Sequence, residues 1–205
     1  MTNKLHHSNI NALVEPIRYI LHYTKQEFQD IGHEFANWPK GHITDSLEYG
    51  LYPMFEEGER VLTQALAIAK YVARNTDLIP LDPWLQAILE SAAYTIYDYW
   101  LKVVAYILEK DPKKKEEMKK KLLEESIDFF FARLEKQLKE NGGYFSGKLS
   151  WVEFLLCGIV EASNFFLDTE LEKKYPTVEA VIEKIKNLPG VKEYIEDRGP
   201  FAIKK

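Results

Sequence analysis

Few residues in this chain have chemistry to offer, and they are scattered. His6 and His7 stand side by side near the start. A neutral imidazole donates one N–H, and near pH 7 it can also take up a proton, its reference pKa being about 6.5. Adjacent side chains on a strand point to opposite faces, so this pair does not make a metal site, and no metal is expected. Cys157 sits in the apolar run Leu155-Leu156-Cys157-Gly158-Ile159 and reads as a core residue. The lysine runs Lys113–Lys115 and Lys119–Lys121 bracket Glu116 and Glu117, which reads as a solvated loop and helix start.

Composition bounds what these residues can serve. The chain has 205 residues, enough for one large domain or two modest ones. Hydrophobic residues are 46% and charged residues 29%, the balance of a folded globular protein. A net charge of -5 argues against nucleic acid as the main partner, because phosphate binding needs a basic surface. The first ten residues hold no apolar stretch of signal-peptide length. No apolar run approaches the roughly 20 residues that span a bilayer. One cysteine excludes an internal disulfide framework. These features predict a cytoplasmic protein with no membrane partner.

The elements that must position the chemistry fall into two groups. Asn3–His6 reads as a strand. Glu15-Pro16-Ile17-Arg18-Tyr19 opens a helix with proline in its first turn and a stripe of Ile17, Ile20, Leu21 and Tyr23. Phe28–Phe35 reads as a second strand. Pro53–Glu57 and Arg60–Thr63 flank Gly58 as a hairpin, and Thr63 can cap a helix from Gln64 to Arg74. The stretch from Asn75 to Asp82, beside Pro80 and Pro83, reads as a linker. Beyond it the pattern is helical. Apolar positions from Leu85 to Ile107 repeat at about 3.6 residues. Leu122–Leu138 is amphipathic. Ser150-Trp151-Val152-Glu153 spells a capping box ahead of an apolar helix to Phe166. Shorter helices follow near Thr177–Asn187 and Val191–Glu196.

With those segments in order, the chain resembles the cytosolic glutathione transferases, and the sigma class among them. Leu13-Val14-Glu15-Pro16-Ile17-Arg18-Tyr19 is similar to the family's first helix. Trp38-Pro39, Pro53, Gln64-Ala65-Leu66-Ala67-Ile68-Ala69-Lys70-Tyr71 and Gly147-Lys148-Leu149-Ser150-Trp151-Val152-Glu153-Phe154 match further family segments. The resemblance implies an α/β plus all-α protein: a thioredoxin-like domain at 1–76, a linker at 77–83 and an all-helical domain at 84–205. It also implies a homodimer whose sites lie in the cleft between domains.

The resemblance further implies a glutathione site, with several side chains altered. The family's catalytic tyrosine position holds His7. That change fits a site no longer used, an altered donor to the thiolate, or an unrelated role. Trp38, Tyr52, Pro53, Gln64 and Asp98 retain family features, with Pro53 implied to be cis. Leu51 stands where Gln or Lys is common. Ala65 replaces a serine whose hydroxyl binds the γ-glutamyl carboxylate. Tyr94, Tyr97 and Trp100 read either as ordinary packing or as an aromatic wall for an apolar ligand. The function implied is glutathione conjugation to a small apolar or electrophilic molecule, weakened or lost. The alternative is a non-catalytic ligand-binding or structural protein on the same fold.

Overall fold

The computed structural model describes residues 2–8, 11–33 and 49–201. The first half is a four-stranded sheet in the order β2-β1-β3-β4, made of β1 (Asn3–Ser8), β2 (Phe28–His33), β3 (Met54–Glu57) and β4 (Arg60–Thr63). β1 runs parallel to β2 through α1 (Glu15–Tyr23), while β3 pairs antiparallel with both β1 and β4. α2 (Ala65–Val72) packs beside α1 on the face carrying Leu5 and Phe55. The second strand is described as far as His33; its predicted end at Phe35 lies outside the described residues.

Two local details differ from the sequence reading. β1 runs on to Ser8, which places His7 inside the strand. Thr63 stays in β4 and caps nothing; Gln64 takes the cap position at φ 74, with no side-chain hydrogen bond to the helix. A positive φ on a residue with a Cβ is a strained backbone state.

The second half is helical. α3 (Pro83–Leu108) begins where the Asp82 carboxylate accepts from the Trp84 amide, a cap that ends the preceding irregular segment. α4 (Pro112–Lys121) covers most of the lysine-rich segment, so the expected helix start falls at Pro112, and only Lys110 and Asp111 lie before it. A π-helical turn at Leu122–Ser126 leads into α5 (Ile127–Glu140), so the amphipathic stretch predicted from Leu122 starts with a widened turn. α6 (Trp151–Leu167) is buried along nearly its whole length. Its capping box forms as expected: Glu153 accepts from the Ser150 amide at 2.7 Å and the Phe145 amide at 2.8 Å. Leu171–Lys174, α7 (Pro176–Lys186) and α8 (Val191–Arg198) complete the chain. Cys157 is fully buried on α6, and burial pushes its thiol up. Among the described residues no helix is long and apolar enough to cross a membrane.

The halves are joined by close packing and buried charge. α1 lies against α6, with Gly158 at the closest point. A Cβ added there would meet Pro16 Cδ at 2.7 Å and Cγ at 2.8 Å. On the same helix Glu15 is fully buried and accepts from Arg18 at 2.6 Å and from Arg198 of α8 at 2.9 Å. Arg198 also donates to Glu161 of α6 at 2.7 Å, and Tyr19 donates to Glu161 at 2.5 Å. Every member of this chain of charges has an opposite charge or a hydroxyl beside it, which burial requires.

Two stability outcomes follow from this joint. Arg198→Met leaves Glu15 and Glu161 without their shared cation and should cost about 3–5 kcal/mol, read as a lowered Tm in calorimetry. An unchanged Tm would show that the network does not fasten the halves. Gly158→Ala should cost about 1–3 kcal/mol through overpacking against Pro16, and a neutral result in denaturant titration would contradict the close approach.

Candidate functional site

A cavity of about 310 Å³ opens between the halves. From the sheet side His7, Ser8, Ala12, Leu13, Val14, Tyr52 and Pro53 line it; from the helical side Trp100, Val104, Ile107, Leu108 and Phe166 do. Polar atoms are few on its surface, as in pockets that hold an apolar ligand.

The strand register explains where His7 goes. Leu5 and His7 share the face of β1 that meets α1, and Leu5 pairs with Asp30 of β2. Gly32 lies directly across from His7 and adds no side chain. Arg18, projecting from α1, fills the space above. Its Nη2 donates to His7 Nε2 at 2.6 Å and lies 2.8 Å from Asp30 Oδ2. His7 Nδ1 donates to the Ser8 carbonyl at 2.7 Å. Asp30 Oδ1 is farther from Nε2, at 3.3 Å. Both nitrogens are then engaged, and His7 is only 4% exposed. Burial pushes the Asp30 carboxyl up, but His7 and Arg18 beside it outweigh this and hold it below its usual range. Burial likewise opposes the Arg18 charge, while Tyr194, Glu15 and Asp30 outweigh it and raise its pKa.

On the opposite face of the sheet a stack of rings leads to the cavity rim. His6 stacks on His33 with centroids 5.3 Å apart, and His33 stacks on Tyr52 at 5.0 Å. His6 Nδ1 and His33 Nε2 are 3.0 Å apart, so one proton is shared between them. Burial raises the Tyr52 hydroxyl pKa. The next peptide bond, Tyr52–Pro53, is cis, as the resemblance implied.

The other expected residues divide by position. Gln64 is exposed and Ala65 is buried at the start of α2, where the first amides of a helix have no intrahelical partner. Leu51 is 42% exposed beside the cis peptide and does not line the cavity. On α3 only Trp100 of the aromatic trio lines it; Tyr94 is 60% exposed, Tyr97 packs at the edge of the helical core, and Asp98 is exposed on the outward face. Trp38 lies outside the described residues. Among the described residues no group of three or more histidines, cysteines or carboxylates is placed to hold a metal. Sequence reasoning missed the Arg18 and Asp30 pair around His7, and Phe166. An arginine between Ile17 and Tyr19, on a helix with an apolar stripe, was the available signal for a buried charge.

Comparison with known proteins agrees with this architecture. The glutathione S-transferase N-terminal domain model matches residues 3–74, and the C-terminal domain model matches residues 97–198. Glutathione S-transferase S1 of Drosophila melanogaster is 29% identical, over 95% of this chain and 78% of its own. Hematopoietic prostaglandin D synthase of Gallus gallus is 26% identical over 98% of both chains. The structure of prostaglandin synthase D of Nilaparvata lugens superposes with a TM-score of 0.90 at 30% identity, covering 97% of this chain and 99% of that one. The chain belongs to the glutathione S-transferase family. Its relatives are the sigma-like members, and its fold is the family's thioredoxin-like sheet domain followed by helices.

The ring stack predicts a pH response. Burial lowers the pKa of His6 below 6.5; Glu56 opposes this, while His33 and Lys4 add to it. Burial, then His7, lowers that of His33. The unfolded chain therefore binds protons that the folded chain resists, and stability falls as pH drops below 6.5 toward the lowered values. Thermal melts from pH 8 to pH 5 should show this decline, and His33→Asn should flatten it. An equally steep decline in that variant would assign the effect elsewhere.

Proposed function

We propose that this chain binds glutathione over the cis Tyr52–Pro53 peptide and conjugates general electrophiles weakly or not at all. The His7 ring carries this reading. A thiolate needs a donor free to face it, and both His7 nitrogens are engaged, by Arg18 and Ser8. Ring carbons are what His7 has left to offer the cavity.

Binding is supported by features that depend on backbone. The cis proline presents the Tyr52 main chain to an extended peptide, and the start of α2 offers amides and a positive helix end to a carboxylate. Ala65 lacks the hydroxyl that would add to these. Losing one hydrogen bond to a charged group costs about 1.5–3 kcal/mol, or about 10- to 100-fold in affinity. The second substrate would be a small apolar or electrophilic molecule in the cavity beside Trp100 and Phe166. The names of the prostaglandin D synthase relatives support a narrow lipid substrate over a broad set of electrophiles.

The assignment extends to assembly and place. A homodimer is supported by the exposed side chains of α3 at Trp84, Tyr94 and Leu101. Asp98 and Tyr94 would then face the partner's cleft. The domains run 1–76 and 84–205 around a linker at 77–83, supported by the Asp82 cap. The protein acts in the cytoplasm. A non-catalytic ligand-binding or structural role on this fold is the alternative.

Calorimetric titration separates them. Glutathione should bind in the millimolar range, with conjugation of a chloronitroarene near background. His7→Tyr combined with Ala65→Ser should raise that conjugation about tenfold or more. Absence of binding at several millimolar would overturn the enzyme reading and leave the alternative.

A further inference from the structure

A strongly basic helix stands next to the cavity. Residues 110–121 carry seven lysines against Asp111, Glu116 and Glu117, a net charge of +4 in a chain of net charge -5. The helix they form, α4, has no buried residue. It is held at its start by Asp111, whose carboxylate accepts from the Lys113 and Lys114 amides at 2.9 and 3.3 Å. Lys115 ties it to the end of α3, donating to the Ile107 carbonyl at 3.0 Å and lying over the Tyr106 ring.

The opposite side of α4 is left to solvent. Lys113 and Lys120 are seven residues apart, as are Lys114 and Lys121, so the four share one face with Glu117 between them. All four are exposed, and among the described residues none has a side-chain hydrogen bond or ion pair. Exposed apolar side chains stand just before and just after the helix in the chain: Leu108, 63% exposed, and Leu123, 40% exposed. Leu108 is also a cavity wall.

We propose that α4 docks the protein onto an anionic lipid bilayer, with Leu108 and Leu123 reaching the headgroup layer and the cavity mouth turned toward the lipid. Clustered lysines are drawn to an anionic leaflet, and nearby leucines add apolar burial that a bilayer offers and an aqueous polyanion does not. Nucleic acid fits less well, because the exposed face of α4 carries no arginine fork and no aromatic ring for stacking. The expectation of no membrane partner rested on the lack of a spanning segment, which a peripheral surface does not need. This docking does not depend on glutathione binding, and its readout is separate.

The test is co-sedimentation of the full chain with phosphatidylcholine vesicles, with and without phosphatidylserine. Binding should require phosphatidylserine and fall about tenfold or more between low and high salt. Replacing Lys113, Lys114, Lys120 and Lys121 by glutamate should abolish it with the Tm unchanged. The milder Lys113→Ala and Lys120→Ala pair, and Leu123→Ser, should each weaken it several-fold. No sedimentation of the wild-type chain with phosphatidylserine vesicles at low salt would overturn the proposal. So would full binding by the lysine variants, or tighter binding to duplex nucleic acid than to the vesicles.

Discussion

A carboxylate with no access to water must be surrounded by cations, and Glu15 is one. It is fully buried, and Arg18 and Arg198 both donate to it. Much else follows from satisfying that one charge. Arg18 lies between Glu15 and Asp30, within reach of His7. Arg198 brings α8 over α1 and pairs with Glu161 of α6. A buried ion pair is a weak source of net stability compared with an apolar contact of the same volume. Its effect is on geometry: each charge admits few placements of its partner. The network fixes how the sheet half meets the helical half, and with it the cavity between them.

The same constraint reaches the imidazole at the cavity wall. The His7 imidazole is held there by Arg18. The neighbouring backbone keeps features that do not depend on side chains: the cis peptide before Pro53 and the positive φ of Gln64.

The order of elements was legible because period and punctuation agree. The proline in the first turn of α1, the Gly58 hairpin and the Ser150–Glu153 box each specify a local geometry that tertiary packing did not override. Where packing decided, local reading failed. Thr63 is a good cap by type, yet the strand retains it and Gln64 takes the bend. Lys110–Lys121 read as a loop and helix start because it is polar on every side, and all but its first two residues are helical because Asp111 caps the helix and α3 supports it. Tyr94 and Tyr97 were read with Trp100, but positions three and six residues away on a helix leave its inward face by different amounts. The His7 contacts were least legible, since they join β1, β2 and α1 across a register that no single segment encodes.

The approach of Pro16 to Gly158 has a consequence for the cleft. Two bodies in contact at a single large side chain can rock about it. Two helices in contact through a proline ring and a bare Cα, flanked by buried charge pairs, have no such pivot. The spacing of the two halves is then tied to how closely these two helices pack, and the width of the gap between them follows from that contact.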